Sequence, residues 1–220
     1  MSGRPVRIKV CGLTRPEDVI ACVESGVDWI GLNFHPKSPR GINRSLAATL
    51  LSHVPSTVQP VGLFVDRTPD DVAEMAAVLS LPIVQLHGNE PPEDLLALKH
   101  LRVIRAFRLG DVAAIEAMKT YLARCEELGC APEFVLVDAH VQDLQGGTGH
   151  SIPDYLLSLL PRHTHLILAG GLKPENVAER VGFVRPWMVD VASGVESSPA
   201  IKDQARIREF VAAVRSVDPA

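Results

Sequence analysis

The sequence predicts an α/β protein, a single (β/α)₈ TIM barrel spanning residues 1–220. Eight short apolar, β-branched runs recur along the chain, at 7–10, 29–34, 61–65, 83–86, 103–107, 134–137, 165–169 and 188–191. Each has the length of a strand buried on both faces, as parallel strands under helices are. Helical patterns lie between them, among them 16–25, 69–79, 111–128 and 202–214, several with Pro or Asp in the first turn. No shift in composition marks a linker. An open doubly wound sheet is the alternative, but it normally shows a reversal of strand order and one dominant phosphate loop.

Taken in order, the runs end in chemistry. The first leads straight into Cys11-Gly12-Leu13-Thr14 before Pro16-Glu17-Asp18 opens a helix. The second ends at Asn33 and His35. After the third comes Asp66, read as a helix cap or loop acceptor ahead of Thr68-Pro69-Asp70. The fourth carries Gln85 and His87, and the fifth carries Arg105 and Arg108, read as structural or rim charges. Asp138 follows the sixth, Gly170-Gly171 the seventh, and Asp190 and Ser193 close the eighth. In a barrel the C-terminal strand ends build the active site, so these residues share one rim.

Composition narrows the partners. With 220 residues and 46% hydrophobic content the chain buries one large core, and a net charge of -4 leaves no basic stripe for nucleic acid. No apolar run approaches the roughly 18 residues of a membrane span, and Met-Ser-Gly-Arg-Pro begins no signal peptide, so a cytoplasmic protein, monomer or homodimer, is expected. Cys11, Cys22, Cys125 and Cys130 form no CxxC pair and read as free thiols. The last three fall in or beside helical patterns, where packing is the default.

Glycine loops add a ligand. Gly170-Gly171 runs into the helix start Pro174-Glu175-Asn176, Ser193-Gly194 follows the eighth strand, and Gly146-Gly147-Thr148-Gly149 follows the sixth. Glycines let backbone N–H groups approach a phosphate, and a helix N-terminus adds partial positive charge. Three such loops at consecutive strand ends predict a phosphorylated small-molecule substrate. His35 and His87 with Asp138 and Asp190 offer an alternative metal site, unsupported by any His-x-His or His-x-x-x-His pair.

The ordered motifs carry a resemblance. Lys9-Val10-Cys11-Gly12-Leu13-Thr14, Pro36-Lys37-Ser38-Pro39-Arg40, Gly62-Leu63-Phe64-Val65, Val84-Gln85-Leu86-His87-Gly88 and Val137-Asp138-Ala139 come first. Gly146-Gly147-Thr148-Gly149, Leu168-Ala169-Gly170-Gly171-Leu172 and Val189-Asp190-Val191-Ala192-Ser193-Gly194-Val195-Glu196 complete the series. Together they cover nearly the whole chain, and it resembles the phosphoribosylanthranilate isomerases of tryptophan biosynthesis.

That resemblance implies an Amadori rearrangement of N-(5-phosphoribosyl)anthranilate, with Asp138 as the acid that opens the furanose and Cys11 as the base that takes the C2 proton. A free thiol has a pKa near ~8.5, so Cys11 must be partly thiolate, and Lys9, on the same side of the strand, is a contributor. Arg40 becomes the clamp on the anthranilate carboxylate. Gln85, His87 and Asp190 are substrate-binding, and Gly146, Gly147, Gly170, Gly171, Ser193 and Gly194 hold phosphate. A donor and a base suffice, so neither cofactor nor metal is expected. Asn33, His35, the stretch 150–153 after Gly149, and Ala200 in place of a frequent Gly depart from the family pattern. Two alternatives remain, a sister phosphosugar barrel enzyme and a non-catalytic phosphosugar-binding protein. A sister enzyme would be expected to place lysines and a glutamate in the site, or a carboxylate where Cys11 stands, and a binding protein has no reason to keep both Cys11 and Asp138.

Overall fold

A computed structural model describes residues 5–139, 152–161 and 165–217. Eight parallel strands close into a barrel in chain order: β1 (Arg7–Cys11), β2 (Trp29–Asn33), β3 (Gln59–Phe64), β4 (Ile83–Leu86), β5 (Arg102–Leu109), β6 (Phe134–Ala139), β7 (Leu166–Leu168) and β8 (Met188–Val191), with β8 pairing back onto β1. Around it lie α1 (Pro16–Glu24), α2 (Arg44–Leu51), α3 (Pro69–Val78), α4 (Pro92–Ala97), α5 (Val112–Glu127), α6 (Asp154–Leu157), α7 (Pro174–Val184) and α8 (Gln204–Arg215). No described helix is long and apolar enough to cross a membrane.

Local chemistry starts the helices where it should. Pro occupies the first turn of α1, α3, α4 and α7, where its missing N–H costs nothing. Asn43, Thr68, Asp111 and Asp203 cap α2, α3, α5 and α8 by accepting from backbone N–H groups of the first turn. The cap on α3 is therefore Thr68. Asp66, at φ 51°, takes the other role foreseen for it, accepting from Asn89 N at 2.6 Å and tying the loop after β3 to the loop after β4.

The period of two along each strand sets what faces the interior. Ile83, Ile104, Phe134, Ile167 and Met188 pack with Trp29 and Val61 inside the barrel. Trp29 meets Phe134 edge-on at 5.0 Å, and Arg7 lies 4.4 Å over the Trp187 ring. Beyond this apolar floor the inward-facing positions turn polar. Two residues further along the same faces come Gln85 on β4, Leu136 on β6 and Asp190 on β8, then His87, Asp138 and Ala192 at the rim. The second, larger core lies between barrel and helices and includes Ile8, Leu32, Val84, Val135, Val189 and Phe210.

The structure differs from expectation after β8. Lys202 begins no helix. It lies on β10 (Ile201–Lys202), which pairs antiparallel with β9 (Glu196–Ser198), a hairpin too short to read from sequence. Its tip holds Ala200 at φ 67°, a left-handed conformation that costs a residue with a Cβ about 1–2 kcal/mol, while its carbonyl accepts from Thr14 Oγ1 at 2.7 Å. Ala200→Gly should therefore stabilise the protein by about 1 kcal/mol and raise Tm by roughly 2–4 °C in a calorimetric scan. A fall in Tm would show that the Ala200 methyl packing outweighs the backbone strain.

Candidate active site

The C-terminal strand ends enclose a cavity of about 360 Å³. At its base lies an ion pair. The β1–β8 register sets Lys9 opposite Asp190, and Lys9 Nζ reaches Asp190 Oδ2 at 2.9 Å with the Lys9 side chain fully buried. Burial alone would lower the Lys9 ammonium, but the attraction of Asp190 and Cys11 prevails and its pKa is raised. Cys11 follows two residues on along the same strand face. Its neighbour across β2 is Gly31, where a Cβ would sit 2.5 Å from Cys11 Sγ, so glycine gives the thiol its room.

The thiol is not activated in the resting site. Burial pushes the Cys11 pKa up; Lys9 and Lys202 pull it down without overcoming that penalty, and Asp190 adds to the rise. The expected electropositive neighbour is present, then, but desolvation is the larger effect.

Across the cavity, burial and the nearby Asp190 charge push the Asp138 carboxyl up to about 6, against opposing pulls from the Ala139 N–H, Arg108 and Lys9. Its neighbour His87 is held neutral, pushed down to about 3 by burial and then by Arg108, Lys9 and Arg105. Gln85 Nε2 lies 3.1 Å from His87 Nδ1. With the amide nitrogen donating, the ring proton resides on Nε2, which lies 3.6 Å from Asp138 Oδ2. Arg108 reaches the cavity too and donates to the His87 carbonyl at 2.7 Å, whereas Arg105 is structural, buried on Glu90 and on the carbonyls of Leu86 and Gly88.

A second charged group forms the opposite wall. Asn33 closes the loop after β2, donating to Ser38 Oγ and accepting from His35 N, and Ser38 Oγ in turn accepts from Arg40 N. This brings Arg40 into the cavity, where Glu196 accepts from its Nε and Nη2 at 2.7 Å each. Lys202 Nζ donates to the same Glu196 and to Ala192 O, both at 2.9 Å.

The two glycine loops foreseen at β7 and β8 meet here. Gly170 and Gly171 take φ of 85° and 62°. Gly194 lies so close to the Leu172 backbone that a Cβ would stand 2.9 Å from the Leu172 carbonyl carbon, so only glycine joins the loops. Gly146 and Gly147 lie outside the described residues. Gln85 Oε1, His87 Nε2, Arg108 Nε and Asp190 Oδ1 are buried with no hydrogen-bond partner among the described residues. Such concentration in one cavity marks a site built for a polar ligand. The alternative metal site does not assemble: Asp190 is engaged by Lys9, and no three His, Cys, Asp or Glu groups converge among the described residues.

Of the residues the sequence motifs single out, Cys11, Arg40, Gln85, His87, Asp138, Asp190, Gly170, Gly171, Ser193 and Gly194 all line this cavity. The motifs give no role to Glu196 or Lys202. A carboxylate directly behind a glycine loop is the available signal for Glu196, whereas Lys202 lies at an apparent helix start.

Residues 8–213 match the family described as N-(5'phosphoribosyl)anthranilate (PRA) isomerase. A relative from Geobacter sulfurreducens named N-(5'-phosphoribosyl)anthranilate isomerase is 42% identical over 206 residues, 94% of this chain and 97% of that protein. A crystal structure of phosphoribosyl anthranilate isomerase from Thermotoga maritima superposes with a TM-score of 0.83 at 34% identity, covering 96% of this chain and 99% of the other. A structure of the enzyme in complex with reduced 1-(o-carboxyphenylamino)-1-deoxyribulose 5-phosphate gives 0.80 at 33% identity, with 96% and 99% covered.

The raised Cys11 pKa has a chemical readout. Iodoacetamide should alkylate Cys11 at pH 7 at least ~10-fold more slowly than free cysteine, with the rate still climbing above pH 9, followed by peptide mass spectrometry. Rapid labelling at pH 7 would mean that Lys9 and Lys202 hold a thiolate despite burial.

Proposed function

The chain belongs to the phosphoribosylanthranilate isomerase family, and from that premise we propose that Asp138 and Cys11 carry out its Amadori rearrangement of N-(5-phosphoribosyl)anthranilate to 1-(2-carboxyphenylamino)-1-deoxyribulose 5-phosphate. The chain is an isomerase of tryptophan biosynthesis, built on a TIM barrel. What carries the residue assignment is the place of Asp138, a largely enclosed carboxyl pushed up to about 6 that lines the same cavity as a thiol on another strand.

The mechanism follows from proton inventory. Asp138, in its acid form, gives its proton to the furanose ring oxygen as the bond from that oxygen to C1 breaks and the anilino nitrogen lone pair forms C1=N. Cys11, as thiolate, then takes the C2 proton, and the electrons left on C2 pass to nitrogen to give an enolamine. The enolamine becomes the ketone by gaining a proton at C1 and losing one from the C2 hydroxyl. Asp138 ends as carboxylate and Cys11 as thiol, so one proton returns between them before the next turnover. Because β1 and β6 stand three places apart in the closed strand order, acid and base approach the substrate from different sides.

Binding roles go to the remaining groups. Arg40 clamps the anthranilate carboxylate, and Gly170, Gly171, Ser193 and Gly194 receive the phosphate, with Gly146 and Gly147 as further donors. Neutral His87, with Gln85 behind it, orients the substrate beside Asp138, and Asp190 Oδ1 is available to a sugar hydroxyl. The four free cysteines fit a reducing, cytoplasmic setting.

Proton sharing also fixes the pH dependence. The reacting form holds one proton between the two groups, on Asp138. Below about pH 6 both are protonated and Cys11 accepts nothing; above the thiol pKa both are ionised and Asp138 donates nothing. kcat/KM should thus be bell-shaped, with its acid limb near pH 6. Asp138→Asn should lower kcat by ~100-fold or more while still binding a product analogue, and its residual rate should rise with pH without an alkaline limb. An unchanged kcat in that variant would remove Asp138 from the chemistry.

A further inference from the structure

Arg40 is held at both ends. Near its backbone, Ser38 Oγ accepts from Arg40 N, and its stem packs on Gly12, where a Cβ would stand 3.1 Å from Arg40 Cβ. At the guanidinium, Glu196 takes the Nε edge through two bonds of 2.7 Å. The N–H groups on Nη1 and the outer one on Nη2 form the remaining edge, which has the fork geometry that fits a second carboxylate. Glu196 alone would neutralise Arg40. Lys202 Nζ, 2.9 Å from the same Oε1, leaves Arg40, Glu196 and Lys202 with one net positive charge. All three side chains are nearly sealed from water, at 12%, 5% and 0% exposure, so this is no screened surface pair.

We propose that Glu196 is a positioning residue for substrate selection: anchored by Lys202, it presets the free edge of Arg40 toward the cavity, so that a ligand bearing an aryl carboxylate is bound without reordering the arginine. The proposal rests on the reading of Arg40 as the carboxylate clamp. A mobile arginine would lose rotamer freedom on every binding event, and Glu196 removes that cost beforehand. The opposite possibility is competition, in which Glu196 must release Arg40 before the ligand takes it. The two predict opposite signs for the same substitution.

The test is titration calorimetry with two reduced product analogues, one carrying the ortho-carboxyl and one with an unsubstituted phenyl ring. Glu196→Gln should weaken the carboxyl analogue ~10-fold and the phenyl analogue by less than ~2-fold, and KM should rise ~10-fold while kcat falls by no more than ~3-fold. In an Arg40→Ala background the same substitution should add nothing to the carboxyl analogue. Equal losses for both analogues, no loss, or tighter binding of the carboxyl analogue would overturn the proposal. The clamp reading is tested separately: Arg40→Ala should abolish the preference for the carboxyl analogue, and a preference that survives refutes the clamp whatever Glu196 does. Should Glu196→Gln fail to fold by circular dichroism, Glu196→Asp, which retains the charge but withdraws it by one methylene, is measured against the same outcomes.

Discussion

Closing the barrel forces β1 beside β8, and the register of that seam puts a buried lysine against a buried aspartate. Lys9 and Asp190 exchange a 2.9 Å charge-assisted bond where neither sees much water. A buried pair of this kind contributes little net stability when intact, but removing one partner costs about 3–5 kcal/mol, because the other charge is left buried alone. The seam therefore holds only with both residues present. Both of its charges act on Cys11 and Asp138, and the Lys9 charge also holds His87 neutral.

Asp190 is the clearest case. Its Oδ1 has no hydrogen-bond partner among the described residues and its charge raises Asp138, while Lys9 works against both the rise in Asp138 and the rise in Cys11. The two reacting groups are thus poised on either side of neutrality. Holding the Asp138 carboxyl near 6 and not near 3.9 weakens the fold by about 3 kcal/mol once it is ionised, a loss that develops as pH rises through that interval. The orphaned atoms of Gln85, His87 and Arg108 add further strain. The apolar floor of Trp29, Phe134 and their neighbours, with the capped helices outside, offsets it.

Most of this architecture is legible in the sequence because strand-forming runs and helix starts carry local signals. Runs 83–86 and 188–191 coincide with β4 and β8. The fifth run falls short of β5 at both ends because Arg102 and Arg108 bound its apolar pattern, although each finds a partner: Glu133 and the His87 carbonyl. What the sequence hides is long-range pairing. Nothing local joins Arg40 to Glu196, 156 positions later, or turns Lys202 inward from a two-residue strand. Desolvation is hidden as well: Lys9 beside Cys11 suggests a lowered thiol pKa, and only the fully enclosed position reveals that burial wins.

Turnover depends on a carboxylic acid kept available near neutral pH. Carbon-13 NMR of the unliganded protein, with aspartate carboxyls labelled and the Asp138 resonance assigned by its absence from Asp138→Asn, follows that group alone. Its titration midpoint should lie near pH 6. A midpoint at or below ~4, the ordinary aspartate range, would contradict the role of Asp138 as the acid.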